Sequence, residues 1–258
     1  MKIIKTLILI FYGYAVFAQS DDALNISVQI ANNARFKPFN KQQIDLLANA
    51  DLKKYSQMLK TDEQKFAFWL NIYNSFMLLN LRDTANAGNY TNFYKKREIV
   101  IAQKKLSLFD IEHEFLRCGI KNKTLGFKKS SLTKKDSLIK KLKPTKNDYR
   151  VIFCMYRGLF GYPPFQIIEN ADISEAFNNF KLQHINNFSK NNKIVIFDWI
   201  KNYKKDLKSI QLEMIFDGYE INYLKTPKAV YIDNFFPKYE KVKFDEEELN
   251  PWLNTIEK

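Results

Sequence analysis

A chain of 258 residues with a hydrophobic share of 46% is long and apolar enough to bury a core, as one large domain or two small ones. Two histidines without an acidic cluster at i, i+4 spacing exclude a recognisable zinc or calcium pattern, and there is no glycine-rich phosphate loop or GxSxG elbow, so neither a metal nor a cofactor is expected. The formal net charge of +13 directs attention to anionic partners, and much of it lies between Lys121 and Lys146, where ten lysines stand against Asp136 alone.

Residues 1–18 read as an export signal: Lys2 and Lys5 form a positive start, TLILIFYGYAVFA is a short apolar run, and Val16, Phe17 and Ala18 end in a small residue suited to cleavage. The mature chain is expected to begin near Gln19 and to be periplasmic or extracellular. The apolar run is shorter than the roughly 20 residues that span a bilayer. An exported protein meets anionic lipid, acidic polysaccharide or another envelope protein before it meets nucleic acid, so the first three are the expected partners and nucleic acid is not. Cys118 and Cys154 are the only cysteines, and an oxidising compartment permits a disulfide between them without requiring one; buried free thiols are the favoured expectation.

Residues 19–38 read as a tether or a short helix lying on a single domain that starts at residue 39. Ile44, Leu47, Leu52, Tyr55 and Leu59 predict one or two helices leading into the longest apolar stretch, Asp62 to Asp83, with Thr61 or Asp62 as its N-cap. That stretch, DEQKFAFWLNIYNSFMLLNLRD, has bulk on nearly every side and a polar stripe of Asn71, Asn74, Ser75 and Arg82, the pattern of a helix in the middle of a domain. Ala85 to Tyr94 reads as a loop. Glu98 to Ile101 and the following KKLSL read as a strand or hairpin. Ser107 and Asp110 form a capping-box start for a helix to about Cys118.

After the lysine-rich stretch, Arg150 to Tyr156, RVIFCMY, reads as a buried strand that Gly158, Gly161, Pro163 and Pro164 turn back. Helices are expected at Ser174 to Ile185, Asp198 to Leu207 and Gln211 to Phe216, strands at Lys193 to Ile196 and Ala229 to Phe235, and a peripheral helix at Asp245 to Leu249. The fold class is α+β, a helical N-terminal third packed on a small mixed or antiparallel sheet built from the strands near Glu98, Arg150, Lys193 and Ala229.

Three stretches, in order, resemble the signatures of the bacterial and plant family called domain of unknown function 547. FWLNIYN at Phe68 to Asn74 is similar to its FWxNxYN, SLFDIEHEFLR at Ser107 to Arg117 to its SLxDIEHxxLR, and DYRVIFCMYRGLFGYPPF at Asp148 to Phe165 to its DPRIHFALVCGAKSCPPL-like signature. A YDWSLN-like motif corresponds to IDNFFP, in which Asp233 matches. The resemblance covers most of residues 39–237 and implies similarity to papain-like or transglutaminase-like cysteine hydrolases. With Gly158 and Pro163 in register, however, the family's histidine falls on Ile152 and its two cysteines on Arg157 and Tyr162.

Cysteine catalysis needs a thiolate beside a base, with a third group to orient the base. Arg157 is no nucleophile, and its donors suit a carboxylate or phosphate. A relocated site would draw on Cys154, which in a strand shares a face with Ile152 about 6 to 7 Å away, with His113 or His184 as base and Glu112 or Asp233 to orient it. Asn71, Tyr73 and Asn74 read as buried struts between helix and strand. Asn71 and Asn74 also stand with Arg157 and Tyr162 as binding candidates. The expectation is a loss of catalysis in favour of binding an anionic ligand or envelope partner; the alternative is a cysteine-type hydrolase or acyl transferase with a rearranged site.

Overall fold

A computed structural model describes residues 22–36, 41–83, 90–120, 137–159, 161–207 and 210–225. Its architecture follows from helix α4, Asp62–Arg82, which no glycine or proline interrupts over 21 residues. Thr61 and Gln64 close a capping box at its start, and Asp62 and Glu63 lie in the first turn, where the helix dipole favours negative charge. Residues 65 to 75 are buried without a break. A helix covered on all sides lies in the middle of its domain.

Helix α1, Ala23–Ala34, covers one side of α4. Ala23, Ile26, Ile30, Ala31 and Ala34 are all buried, with the alanines allowing close approach, and Arg82 of α4 donates to the Ala34 and Arg35 carbonyls at the end of α1. Of the two readings of this region the helix is the observed one, and it is core rather than tether, so the packed unit starts well before residue 39. Helices α2, Gln42–Ala48, and α3, Leu52–Met58, follow. Helix α5, Tyr90–Lys95, stands where part of a loop was expected, because Tyr90, Phe93 and Tyr94 at i, i+3 and i+4 supply an apolar face.

Strands β1, Ile99–Ile101, and β2, Lys104–Leu106, form the expected hairpin, antiparallel with Ile99 opposite Leu106. Ala102 and Gln103 turn it with positive φ, and their amides donate to the Leu47 and Ala48 carbonyls at the end of α2. The Ser107–Asp110 capping box then opens α6, Leu108–Asp110, which widens into a π-helix over Ile111–Leu116. Asp62 accepts from the Thr145 and Lys146 amides and the Thr145 hydroxyl, tying the end of the lysine-rich stretch beyond α7, Ser137–Lys141, to the head of α4. Residues 121–136 of that stretch lie outside the described residues.

Arg150 to Tyr156 is not a strand. Asp148 caps a 3₁₀ turn, Tyr149–Phe153, by accepting from the Arg150 amide, and residues 155–157 beyond it belong to no strand. Side-chain amides of α4 take the place of a ladder. Asn74 donates to the Cys154 carbonyl at 3.0 Å and accepts from the Tyr156 amide at 2.9 Å, while Asn71 donates to the Ile168 carbonyl at 3.0 Å and accepts from its amide at 2.8 Å. Gly161 has φ +75° and its Cβ would collide with the Phe197 ring, so the turn at 161 admits no other residue without displacement.

Helix α8, Ile173–Phe188, leads into β3, Ser189–Lys190, and β4, Lys193–Phe197. A 3₁₀ turn, Asp198–Tyr203, helices α9, Lys204–Leu207, and α10, Leu212–Ile215, and strand β5, Glu220–Leu224, complete the described chain. The fold is α+β, with two small sheets rather than one: the β1–β2 hairpin and a mixed sheet β3-β4-β5, antiparallel and then parallel with Lys193 opposite Glu220. Strand β5 was not expected, since EINYL has no clean alternation. The strand at Ala229 to Phe235 and the helix at Asp245 to Leu249 lie outside the described residues, as does the expected signal at 1–18.

Candidate functional site

The π-helix brings chemistry to one place. Its amide of Arg117 donates to the Glu112 carbonyl, five residues back, so the widened turn carries Glu112 and Arg117 on one side, with 3.8 Å between carboxylate and guanidinium. Glu112 is 2% exposed and accepts from three tyrosines. Tyr94 Oη donates to Oε2 at 2.6 Å, Tyr73 Oη to Oε2 at 3.2 Å and Tyr203 Oη to Oε1 at 3.2 Å. Arg157 Nη2 donates to the same Oε2, and also to Tyr203 Oη at 2.7 Å, while Nη1 reaches Tyr90 Oη at 2.9 Å.

A second ion pair closes the cluster. Arg117 holds Asp206 with two hydrogen bonds, Nε to Oδ1 at 2.9 Å and Nη2 to Oδ2 at 2.6 Å, and its guanidinium lies 4.7 Å from the centre of the Tyr203 ring. Two carboxylates and two guanidiniums thus balance inside the protein, as burial requires. Burial works against ionisation of Glu112, but Arg157, then His113 and Arg117, and the Tyr94 hydroxyl hold the carboxyl down at about 2. Burial pushes Asp206 up against the pull of Arg117, and it pushes Tyr73, Tyr94 and Tyr203 well above the ordinary phenol value. The Arg157 guanidinium is held well above its usual value by Glu112 and the tyrosines despite burial. These phenols are donors, not bases.

The structure brings Glu112, His113, Arg157 and Tyr73 together and places Tyr162 at the edge, stacked on Trp199 with ring centres 4.6 Å apart. Burial raises the Tyr162 hydroxyl to about 12. His113 packs on Phe109, with Nδ1 3.2 Å from Arg117 Nη1, and burial lowers it with further repulsion from Arg117 and Arg157. An imidazole that accepts from a guanidinium is poorly placed to take a proton from a thiol.

The thiols lie elsewhere. Cys154 is fully buried after the 3₁₀ turn, where its contact is the Ile173 carbonyl at 3.9 Å, and burial drives its pKa far up. The strand geometry that would have aimed it beside Ile152 does not exist. The Cys118 thiol has the Phe115, Pro144 and Lys146 carbonyls as acceptors within reach, the last at 3.2 Å, and burial raises it to about 12. Both cysteines are free. His184 bonds the Val195 carbonyl at 2.8 Å among Phe180, Phe188, Phe197 and Phe216, and burial lowers it to about 4. No hydrogen bond joins a thiol to an imidazole among the described residues, and Asp233 lies outside them.

Asn71 and Asn74 are struts: each amide donates to a backbone carbonyl and accepts from a backbone amide, and Asn71 also donates to the Ser27 hydroxyl. Sequence reading missed Tyr90, Tyr94, Tyr203 and Asp206. The i, i+4 spacing of Tyr90 and Tyr94 was the available signal for α5, hidden by the Asn- and Gly-rich run before it. Among the described residues no group of three His, Cys, Asp or Glu could hold a metal ion, and no helix is long and apolar enough to cross a membrane. A groove of about 620 Å³ between α1, α2 and α3, lined by Ile26, Lys41, Asp45, Leu46, Lys54 and Tyr55 among others, includes none of the cluster.

Residues 56–185, about half of the chain, match the family described as "Protein of unknown function, DUF547". That span contains Tyr73, Tyr90, Tyr94, Glu112, Arg117 and Arg157 and ends before Tyr203 and Asp206. No curated protein and no solved structure is significantly similar to the chain.

Proposed function

The chain belongs to the DUF547 family, whose function is unknown, and from that premise we propose that it is an exported, non-catalytic member that binds an anionic ligand or envelope partner. The observation that carries the reading is Arg157. Its guanidinium fills the centre of the tyrosine cluster, where it is bonded to Glu112, Tyr90 and Tyr203. Catalysis by a thiol needs a nucleophile with a base in reach, and both thiols here bond backbone carbonyls and hold their protons through neutral pH.

Two features support an anionic ligand. Arg157 Nε is buried and has no hydrogen-bond partner among the described residues, leaving one guanidinium donor open. The net charge of +13, concentrated in the stretch from Lys121 to Lys146, supplies the longer-range attraction.

Vesicles of phosphatidylglycerol and of phosphatidylcholine, and an acidic polysaccharide such as polygalacturonate, separate the sources of negative charge. The full chain should bind phosphatidylglycerol vesicles or the polysaccharide, and more weakly as salt shortens the screening length. Binding to neither, with rapid alkylation of Cys154 in the folded protein, would overturn the reading in favour of a rearranged cysteine hydrolase or acyl transferase. Export has its own test. Cell fractionation and N-terminal sequencing should find the chain outside the cytoplasm beginning near Gln19, and a cytoplasmic chain retaining Lys2 and Lys5 would sink that part.

A further inference from the structure

The groups around the Arg157 guanidinium come from four separate elements, and all of them are anchored apart from it. Tyr73 comes from α4, Tyr90 and Tyr94 from α5, Glu112 from the π-helix and Tyr203 from the 3₁₀ turn before α9. Glu112 accepts from Tyr73, Tyr94 and Tyr203 as well as from Arg157, so three hydroxyls hold the carboxylate in place without the guanidinium. Around the position of the guanidinium carbon stand the Tyr94 and Tyr73 rings, with centres 5.2 and 5.7 Å away, and the Tyr90 and Tyr203 oxygens accept its N–H groups.

A carboxylate floor, two aromatic faces and two hydroxyl acceptors match a monosubstituted guanidinium. The planar cation pairs with the carboxylate, lays its positive face against the rings and finds oxygen for two further N–H groups. We infer that this chamber is a guanidinium-binding site which the chain closes with its own Arg157. Arg157 is then an internal ligand, and the external ligand class is an alkylguanidinium, such as the side chain of a peptide arginine, which competes with it for the single carboxylate. The inference is independent of anion binding, since it concerns what Glu112 and the tyrosines accept rather than what Arg157 and the lysines attract.

The test uses the full chain carrying Arg157→Ala, with ethylguanidinium as probe and N-ethylurea as its neutral counterpart of the same shape, read by calorimetric titration and thermal melting. Ethylguanidinium should bind saturably at concentrations well below those that denature proteins and should raise the melting temperature of the variant, while N-ethylurea does neither. The unsubstituted protein should show no binding of this kind. Adding Glu112→Gln to the variant should weaken the binding by at least about tenfold, the scale of losing a charged hydrogen-bond partner. Absence of saturable binding to Arg157→Ala, or equal binding to the unsubstituted protein, would overturn the proposal. Should Arg157→Ala be recovered only unfolded, it is refolded from urea with each probe: recovery with ethylguanidinium alone upholds the site, and recovery with both or with neither overturns it.

Discussion

Helix α4 faces two interiors of opposite kind, set by side chains one residue apart. On one side Asn71 and Asn74 use neutral amides to hold the chain at Cys154, Tyr156 and Ile168, each pairing with a backbone carbonyl and a backbone amide. On the other side Tyr73 opens the charged cluster of Glu112, Arg157, Arg117 and Asp206. Both sides are buried and both are rich in hydrogen bonds, so burial alone does not separate architecture from chemistry. What separates them is charge: an amide clamp behaves alike at every pH, whereas an ionic cluster answers to protons and to the loss of either partner.

The comparison breaks most sharply at Arg157. Arg157→Met leaves the Glu112 carboxylate buried without its nearest cation and should cost about 4 kcal/mol in urea denaturation, while Arg157→Met with Glu112→Gln should recover a large part of it. A double variant no more stable than the single one would show that the ion pair is not what the loss reports.

Acid should expose the next difference. The Glu112 carboxyl stands at about 2 against an ordinary 4.5, so its contribution is complete above about pH 4.5 and is lost as the pH falls towards 2. The stability difference between the unsubstituted protein and Glu112→Gln should therefore shrink by about 3 kcal/mol over that window. Asp206 runs the other way. Its carboxyl is raised, so the folded state holds the extra proton longer and stability falls as the pH rises through the window between its unfolded and folded values. Asp206→Asn should remove that opposing slope while retaining an oxygen for Arg117.

On the amide side, Asn74→Leu leaves the Cys154 carbonyl and the Tyr156 amide without partners and should cost about 2 kcal/mol, lowering the melting temperature by several degrees. Unlike the Glu112 effect, this loss should be equal at pH values of about 2.5 and about 7; a pH-dependent loss would mean that the clamp and the cluster are coupled through α4. The smallest effect is expected at the thiols. Mass spectrometry should find Cys154 unmodified by iodoacetamide while the protein is folded and fully modified once it is denatured, because burial keeps the sulfur protonated and inaccessible.

Much of this was legible locally. Ser107 with Asp110 announces a helix start through groups three residues apart and forms the capping box as read, and Thr61 is the N-cap of α4, one of the two residues expected there, with Gln64 closing its box. The continuous bulk from Phe66 to Met77 announces a central helix in the same way. At Arg150 to Tyr156 the local signal failed, since a buried run of β-branched and aromatic residues looks the same whether strand neighbours or amide side chains satisfy its backbone. The choice there was made by Asn74, roughly eighty residues earlier in the chain.

The candidate site shows the same division. Glu112, His113, Arg157 and Tyr162 stood out as residues, and a thiol and an imidazole were available to be drawn into one mechanism. Sequence by itself determined the α+β class, the family, the capped helices and the presence of Arg157 where a nucleophile was expected. The tertiary structure alone decided that Arg157 turns inward to Glu112, that Tyr90, Tyr94 and Tyr203 enclose the pair, and that Arg117 takes Asp206 while the cysteines bond backbone carbonyls. The physical reason is range: caps and periodicities act over one or two turns of chain, whereas a buried charge must find its counter-charge wherever the packed fold places one.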